Sequence, residues 1–132
     1  MNQKPSKGLI AAGLFNIVGV LALTRGFQDL SLGSYFPELF SIWGLIGIIL
    51  WGLCYMAMAS RYRVAPEILV VFALEKIFYF ASWCWWQWHH FSELPAMWVD
   101  NPAAAVFYGT YGPGDLTFAV FFLALFIKAK RQ

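Results

Sequence analysis

The sequence predicts an all-α integral membrane protein, a bundle of four transmembrane helices whose fourth helix is kinked or broken. Two observations predict this class. Hydrophobic residues make up 61% of the 132 residues and charged residues only 12%, about half the share of about 25% that is usual in a soluble domain. Four apolar segments are each about 17–25 residues long, which is the length that a helix needs to cross about 30 Å of hydrocarbon.

The composition excludes several classes of protein. With so few charged residues the chain cannot cover a water-facing surface, which argues against a soluble enzyme and against a disordered chain. The net charge of +2 is too small for a nucleic-acid-binding surface, so we expect no nucleic-acid partner. The length predicts a single membrane domain over residues 1–132, with the lipid bilayer as its main partner.

The four predicted spans cover about residues 8–24, 40–60, 66–88 and 103–127. The first follows Lys4 and Lys7, and its apolar stretch is longer than the 7–15 residues typical of a signal peptide, so we expect a retained helix. Pro37 precedes the second span. Pro66 and Glu67 open the third, where proline is tolerated and a carboxylate faces the positive end of the helix dipole.

The basic residues predict the orientation. Four spans place both termini on one side, together with the loop between spans two and three. Of the nine basic residues, Arg25 lies on the opposite side, Lys76 lies inside a span, and seven lie with the termini: Lys4, Lys7, Arg61, Arg63, Lys128, Lys130 and Arg131. The positive-inside rule therefore predicts cytoplasmic termini, in what we expect to be a bacterial inner membrane.

Six of the seven tryptophans fall toward the opposite side: Trp43, Trp83, Trp85, Trp86, Trp88 and Trp98. Tryptophan is enriched where a membrane protein leaves the bilayer, so we interpret this group as an interfacial belt. A cation or quinone site built from the same rings is the alternative.

The cysteines and histidines predict neither a disulfide nor a metal site. Cys54 and Cys84 lie at depths too different for a disulfide, and no Cys-x-x-Cys motif is present. His89 and Glu93 would share a helix face if the helix continued, but a defined zinc site needs three or four ligands. We interpret them as polar residues at a helix end, and we expect no cofactor.

Polar residues inside the spans are the main functional signal. Glu75 and Lys76 lie about 14 Å, and Asp115 about 18 Å, from the cytoplasmic ends of their spans, and Asn16 lies in the middle of the first span. A charged side chain near the centre of a bilayer costs about 3 kcal/mol or more. We therefore expect these side chains to face the bundle interior and to bond to one another.

Helical spacing suggests how they are arranged. Lys76 points about 100° away from Glu75, so we expect Lys76 to pair with Asp115. Glu75 would then contact Asn16, Tyr55 or Tyr79. The predicted binding or proton site comprises Glu75, Lys76, Asp115, Asn16, Tyr79 and Tyr111.

The segment 109–115, Gly-Thr-Tyr-Gly-Pro-Gly-Asp, predicts an irregular fourth span. Pro113 cannot donate a backbone bond to Gly109 and disfavours a straight helix. In the favoured interpretation the helix breaks near mid-depth and Asp115 caps its inner half. In the other, a buried external loop precedes Gly114, and Asp115 caps a shorter span.

Three functions remain open. The first is a binding or transport protein for a small apolar or ionic ligand, with Glu75 as an acid that takes up and releases a proton. The second is an accessory subunit, or a homo-oligomer, in which the polar residues only hold helices together. The third is a membrane enzyme acting on a lipid or isoprenoid, with Glu75 or Asp115 as general acid.

Overall fold

The computed structural model describes residues 4–132 and is 81% helical, with no strand in that range. The chain divides into two compact units, one ending at Arg61 and the other beginning at Tyr62. The first unit contains helices α1 (Lys7–Leu23), the single turn α2 (Pro37–Phe40) and α3 (Ile42–Ala57). The second contains α4 (Ile68–His90), α5 (Leu94–Asp100) and α6 (Pro102–Lys130). The all-helical part of the predicted fold class is therefore confirmed.

Side chains at both ends define helix α1. The hydroxyl of Ser6 accepts a bond from the backbone N–H of Leu9 at 3.2 Å, which satisfies one of the free donors of the first turn. At the other end, Thr24 Oγ1 donates to the Val20 carbonyl and accepts from the Phe27 N–H. Residues 25–27 then all have positive φ angles of 52°, 66° and 69°, a left-handed conformation that ends the helix.

The connection to α3 is ordered by local hydrogen bonds. The hydroxyl and the backbone N–H of Ser31 donate to Asp29 Oδ1 at 2.6 and 3.0 Å. These two bonds favour the ionised acid and hold the pKa of Asp29 below its usual value. Ser31 begins a 3₁₀ turn that ends at Tyr35, shortly before α2.

Helices α1 and α3 cross closely where two glycines meet. A Cβ built on Gly13 would lie 2.6 Å from the Gly52 carbonyl oxygen, and one built on Gly52 would lie 2.8 Å from the Gly13 carbonyl oxygen. Such a close approach of two backbones is typical of small residues at helix–helix contacts. Gly19 and Gly47, which the sequence also suggested as contact residues, have open space around them.

In the second unit α4 and α6 pack against each other and run antiparallel. At one end of the contact Lys130 Nζ donates to Glu67 Oε1 at 3.3 Å, and toward the other end Gln87 Nε2 donates to the Tyr108 carbonyl. Asn101 caps α6 by accepting from the Ala104 N–H at 3.2 Å. The short α5, which packs on α6, occupies a segment that the sequence suggested was a loop.

The expectation of a broken fourth span was wrong. Helix α6 runs without interruption through Pro113, and Asp115 lies inside it rather than at a cap. An interior proline costs one backbone hydrogen bond and about 3 kcal/mol. In apolar surroundings a full break would leave more backbone groups without partners, which costs more. The expected kink stays a prediction.

Two helical stretches, Ile68–Asp100 and Pro102–Lys130, are long and apolar enough to cross a membrane. Helices α1 and α3, with 17 and 16 residues, are apolar but shorter, and they extend over about 26 and 24 Å. The four predicted spans correspond in position to α1, α3, α4 and α6. Their number as membrane crossings, and the single domain over residues 1–132, stay predictions.

Candidate functional site

A buried ion pair joins α4 to α6. Lys76 Nζ lies 3.1 Å from Asp115 Oδ1, and only 2% and 10% of the two side chains is exposed. The ammonium also lies 5.9 Å from the centre of the Phe118 ring, within the range of a cation–π contact. The ion pair expected from helical spacing is therefore confirmed.

Helical periodicity explains why these two residues meet. On α6 the buried positions Tyr108, Tyr111, Asp115, Ala119 and Phe122 recur every three or four residues and so form one face. On α4 the buried Phe72, Ala73 and Lys76 belong to the face that meets it. The ion pair thus occupies a place in an otherwise apolar and aromatic helix–helix contact.

Glu75 adds a second carboxylate to this contact. The residue is 9% exposed and precedes Lys76 in the chain. The charges of Glu75 and Asp115 both act on the hydroxyl of Tyr79, so the three side chains lie within electrostatic range of one another. Two carboxylates and one ammonium therefore share the apolar part of the α4–α6 contact.

Three hydroxyl-bearing residues extend the cluster. Ser82 Oγ donates to the Tyr79 carbonyl at 2.6 Å and lies 3.0 Å from the Tyr111 hydroxyl. The Ser82 proton is engaged by the carbonyl, so in this arrangement the Tyr111 hydroxyl is the donor of the second bond. We call Glu75, Lys76, Tyr79, Ser82, Tyr111 and Asp115 the α4–α6 cluster.

A second set of contacts, which sequence reasoning missed, locks the two helices beside Pro113. Trp83 Nε1 and Gln87 Nε2 both donate to the Tyr108 carbonyl, at 2.8 and 2.7 Å. The Trp83 ring lies directly on Gly112, where an added Cβ would be 2.2 Å from the ring. Trp83 and Gln87 lie seven and eleven residues after Lys76, a helical spacing that could have indicated the shared face.

The tryptophans do not form one group. Trp86 is 1% exposed and stacks on Tyr108, with ring centres 4.8 Å apart. Trp86 and Trp83 are therefore core residues of the helix pair, which corrects their assignment to an interfacial belt. The remaining members of the predicted belt are largely exposed: Trp43, Trp85, Trp88 and Trp98.

Asn16, the sixth residue of the predicted site, belongs to α1 in the first unit. Its Nδ2 donates to the Ile48 carbonyl of α3 at 3.0 Å, beside the glycine crossing. Tyr55, the other first-unit residue considered as a partner for Glu75, is fully buried there and lies 6.4 Å from Trp51, measured between ring centres. The cluster described above therefore contains five of the six predicted site residues.

The end of α4 differs from expectation in one detail. His90, rather than His89, contacts Glu93, because α4 ends at His90 and a 3₁₀ turn follows. His89 Nδ1 instead lies 2.8 Å from the Trp85 carbonyl oxygen. Cys54 and Cys84 are free and exposed. Residues 4–132 contain no group of three or more His, Cys, Asp or Glu side chains that could hold a metal ion.

No protein-family model matches the chain, and searches of the curated proteins and of the solved structures each find no match.

Proposed function

We propose that the chain is a small integral membrane protein of the binding or transport type, in which the α4–α6 cluster holds an exchangeable proton. The membrane is the inner membrane of a bacterium, with both termini on the cytoplasmic side. The observation that carries the proposal is the charge of the cluster, which contains two carboxylates but only one ammonium.

Surface chemistry supports the membrane part of the proposal. Only 28% of the most apolar window of each long helical stretch is buried, whereas the core helix of a soluble protein is mostly buried. Large hydrophobic side chains point outward along both helices, among them Val71, Leu74, Phe78 and Val120. Lipid tails are the natural surroundings for such faces.

The charge count supports the proton. If every group were ionised, Lys76 would neutralise one carboxylate and the cluster would keep one net negative charge. An uncompensated charge in apolar surroundings is expensive. One proton bound to either carboxylate removes that charge. Intramembrane acids of this kind are typical of proton-linked binding and transport.

Infrared spectroscopy tests the proposal on the full chain in lipid. We expect the unaltered protein to show a band of a protonated carboxyl group that changes between about pH 5 and about pH 9. Glu75→Gln leaves a neutral Lys76–Asp115 pair that needs no proton, so the band should disappear wherever the proton had been bound. Glu67→Gln is the matched control, because Glu67 is an exposed carboxylate of the same helical segment. Absence of a pH-dependent protonated band from the unaltered chain would refute the proposal.

One observation favours an accessory subunit as the second candidate. Within the described residues, no buried side-chain nitrogen or oxygen lacks a hydrogen-bond partner. Polar groups that are fully satisfied can act purely as contacts between helices. Affinity purification in native lipid separates the two functions. A stoichiometric membrane-protein partner, together with an ionised cluster at all pH values, would favour the accessory role.

A further inference from the structure

The two ends of the α4–α6 cluster differ in chemistry. Toward the Glu67–Lys130 end of the helix pair, the next buried side chains are aromatic. Phe72 and Phe122 are buried with ring centres 5.6 Å apart, and Phe118 lies over the Lys76 ammonium. None of these rings can accept or donate a proton, so they form an apolar barrier on that side. We call Phe72, Phe118 and Phe122 the phenylalanine barrier.

Toward the α5 end of the helix pair the neighbours are hydroxyl groups. Tyr111 lies one helical turn from Asp115, whose charge acts on its hydroxyl, and that hydroxyl is bonded to Ser82. Exposure increases along this direction, because Tyr111 is buried whereas Ser82 is half-buried. From Ser82 about 12 Å of α4 remain before its end at His90.

We infer that the cluster exchanges its proton with one side of the membrane only, the side of α5, through the hydroxyls of Tyr111 and Ser82. The phenylalanine barrier closes the opposite side. This inference rests on the proposed function and adds to it the direction of access and the groups that provide it. The ligand that enters is a proton delivered by water.

The transfer is a relay along existing hydrogen bonds. Ser82 Oγ accepts a proton from water and passes its own hydroxyl proton to the Tyr111 oxygen. Tyr111 then releases its hydroxyl proton to a carboxylate oxygen of the cluster. Each hydroxyl ends with one proton, as it began. The net change is one proton lost by water and one gained by a carboxylate.

The titratable groups around this route come from each packed element of the second unit. Helix α4 contributes Glu75, Lys76 and Tyr79, and α6 contributes Tyr111 and Asp115. Cys84, on the exposed side of α4, also acts electrostatically on Tyr111. Helix α5 packs on α6 and carries an exposed Asp100 at its end.

Proton uptake after a pH jump, followed through the same infrared band, tests the route. We expect Tyr111→Phe and Ser82→Ala each to slow uptake by about a hundredfold, the lower end of what a positioned proton-transfer group contributes, without changing the final band intensity. Thr110→Val is the matched control, since its hydroxyl donates to the Val106 carbonyl on the exposed side of α6. An unchanged rate in both hydroxyl variants would overturn the route alone. Absence of the band would overturn the proposed function with it.

Labelling with a membrane-impermeant thiol reagent tests the sidedness. Cys54 and Cys84 are first replaced by alanine, and Asp100→Cys in α5 marks the side of interest. Ser82→Cys should react only when the reagent is on that side, and Phe118→Cys should not react from either side. Reaction of Phe118→Cys, reaction of Ser82→Cys from the other side, or an unreactive Ser82→Cys would overturn one-sided access.

Discussion

Lys76 Nζ lies 3.1 Å from Asp115 Oδ1 across the α4–α6 contact, although the two residues are 39 positions apart in the chain. Both side chains are buried, so neither charge has water as an alternative partner. A one-residue shift of either helix would turn one charge away by about 100°. The pair therefore fixes the register of the two helices as well as neutralising two charges.

Removing one partner of this pair should destabilise the protein strongly. Lys76→Met leaves the Asp115 carboxylate without its ammonium, and breaking a buried pair in this way costs about 3–5 kcal/mol. The double variant Lys76→Met with Asp115→Leu should recover most of that loss, because no unpaired charge of the pair then remains. Thermal unfolding in detergent measures both. Losses that simply add in the double variant would show that the two residues do not stabilise each other.

Most of the helices, and the ion pair, could be predicted from elementary physics. The length of the apolar runs indicates helices, and the cost of a buried charge requires that Lys76 and Asp115 meet. Helix α5 was missed because Pro95 suggested a loop, whereas proline is well tolerated in a first helical turn. The continuity of α6 was missed because local preference at Pro113 was weighed without the contacts that hold the helix.

The bonds made by Trp83, Gln87 and Asn16 could not be predicted by matching side chains. Each donates to a backbone carbonyl, in Tyr108 or Ile48. Every residue carries such a carbonyl, so the sequence pattern does not mark the acceptor. Asn16 was instead assigned to the charged site, because its depth in the first span matched that of Glu75.

Gly112 should be the sensitive glycine of α6. In Gly112→Ala the new methyl group would lie 2.2 Å from the Trp83 ring, so the ring must move and its bond to the Tyr108 carbonyl must weaken. We expect a loss of about 1–3 kcal/mol, the usual cost of overpacking. Gly109→Ala is the matched control, because nothing lies within 4 Å of that position, and it should stabilise the helix by about 0.5–1 kcal/mol. Thermal unfolding of the two variants decides; equal effects would show that Trp83 does not rest on Gly112.

The crossing of α1 and α3 allows the same comparison in the first unit. Gly52→Ala would place a methyl group 2.8 Å from the Gly13 carbonyl oxygen, which belongs to backbone and cannot rotate away. The helices must therefore separate, which also stretches the bond from Asn16 to Ile48. We expect a loss of about 1–3 kcal/mol. Gly47→Ala on the same helix meets open space and should be neutral or stabilising. A neutral Gly52→Ala would show that the helices do not approach closely there.

The orientation and the number of membrane crossings can be tested together with fusions to a reporter enzyme that is active only after export. Seven basic residues on one side predict a cytoplasmic C-terminus, so a fusion after Gln132 should be inactive. If α1 and α3 cross the membrane despite their shorter length, fusions after Gln28 and Glu93 should be active and one after Arg63 inactive. If only α4 and α6 cross, the fusion after Gln28 should be inactive like that after Arg63, while the fusion after Glu93 stays active. An active fusion after Gln132 would reverse the orientation and place the α5 end of the proton route on the cytoplasmic side.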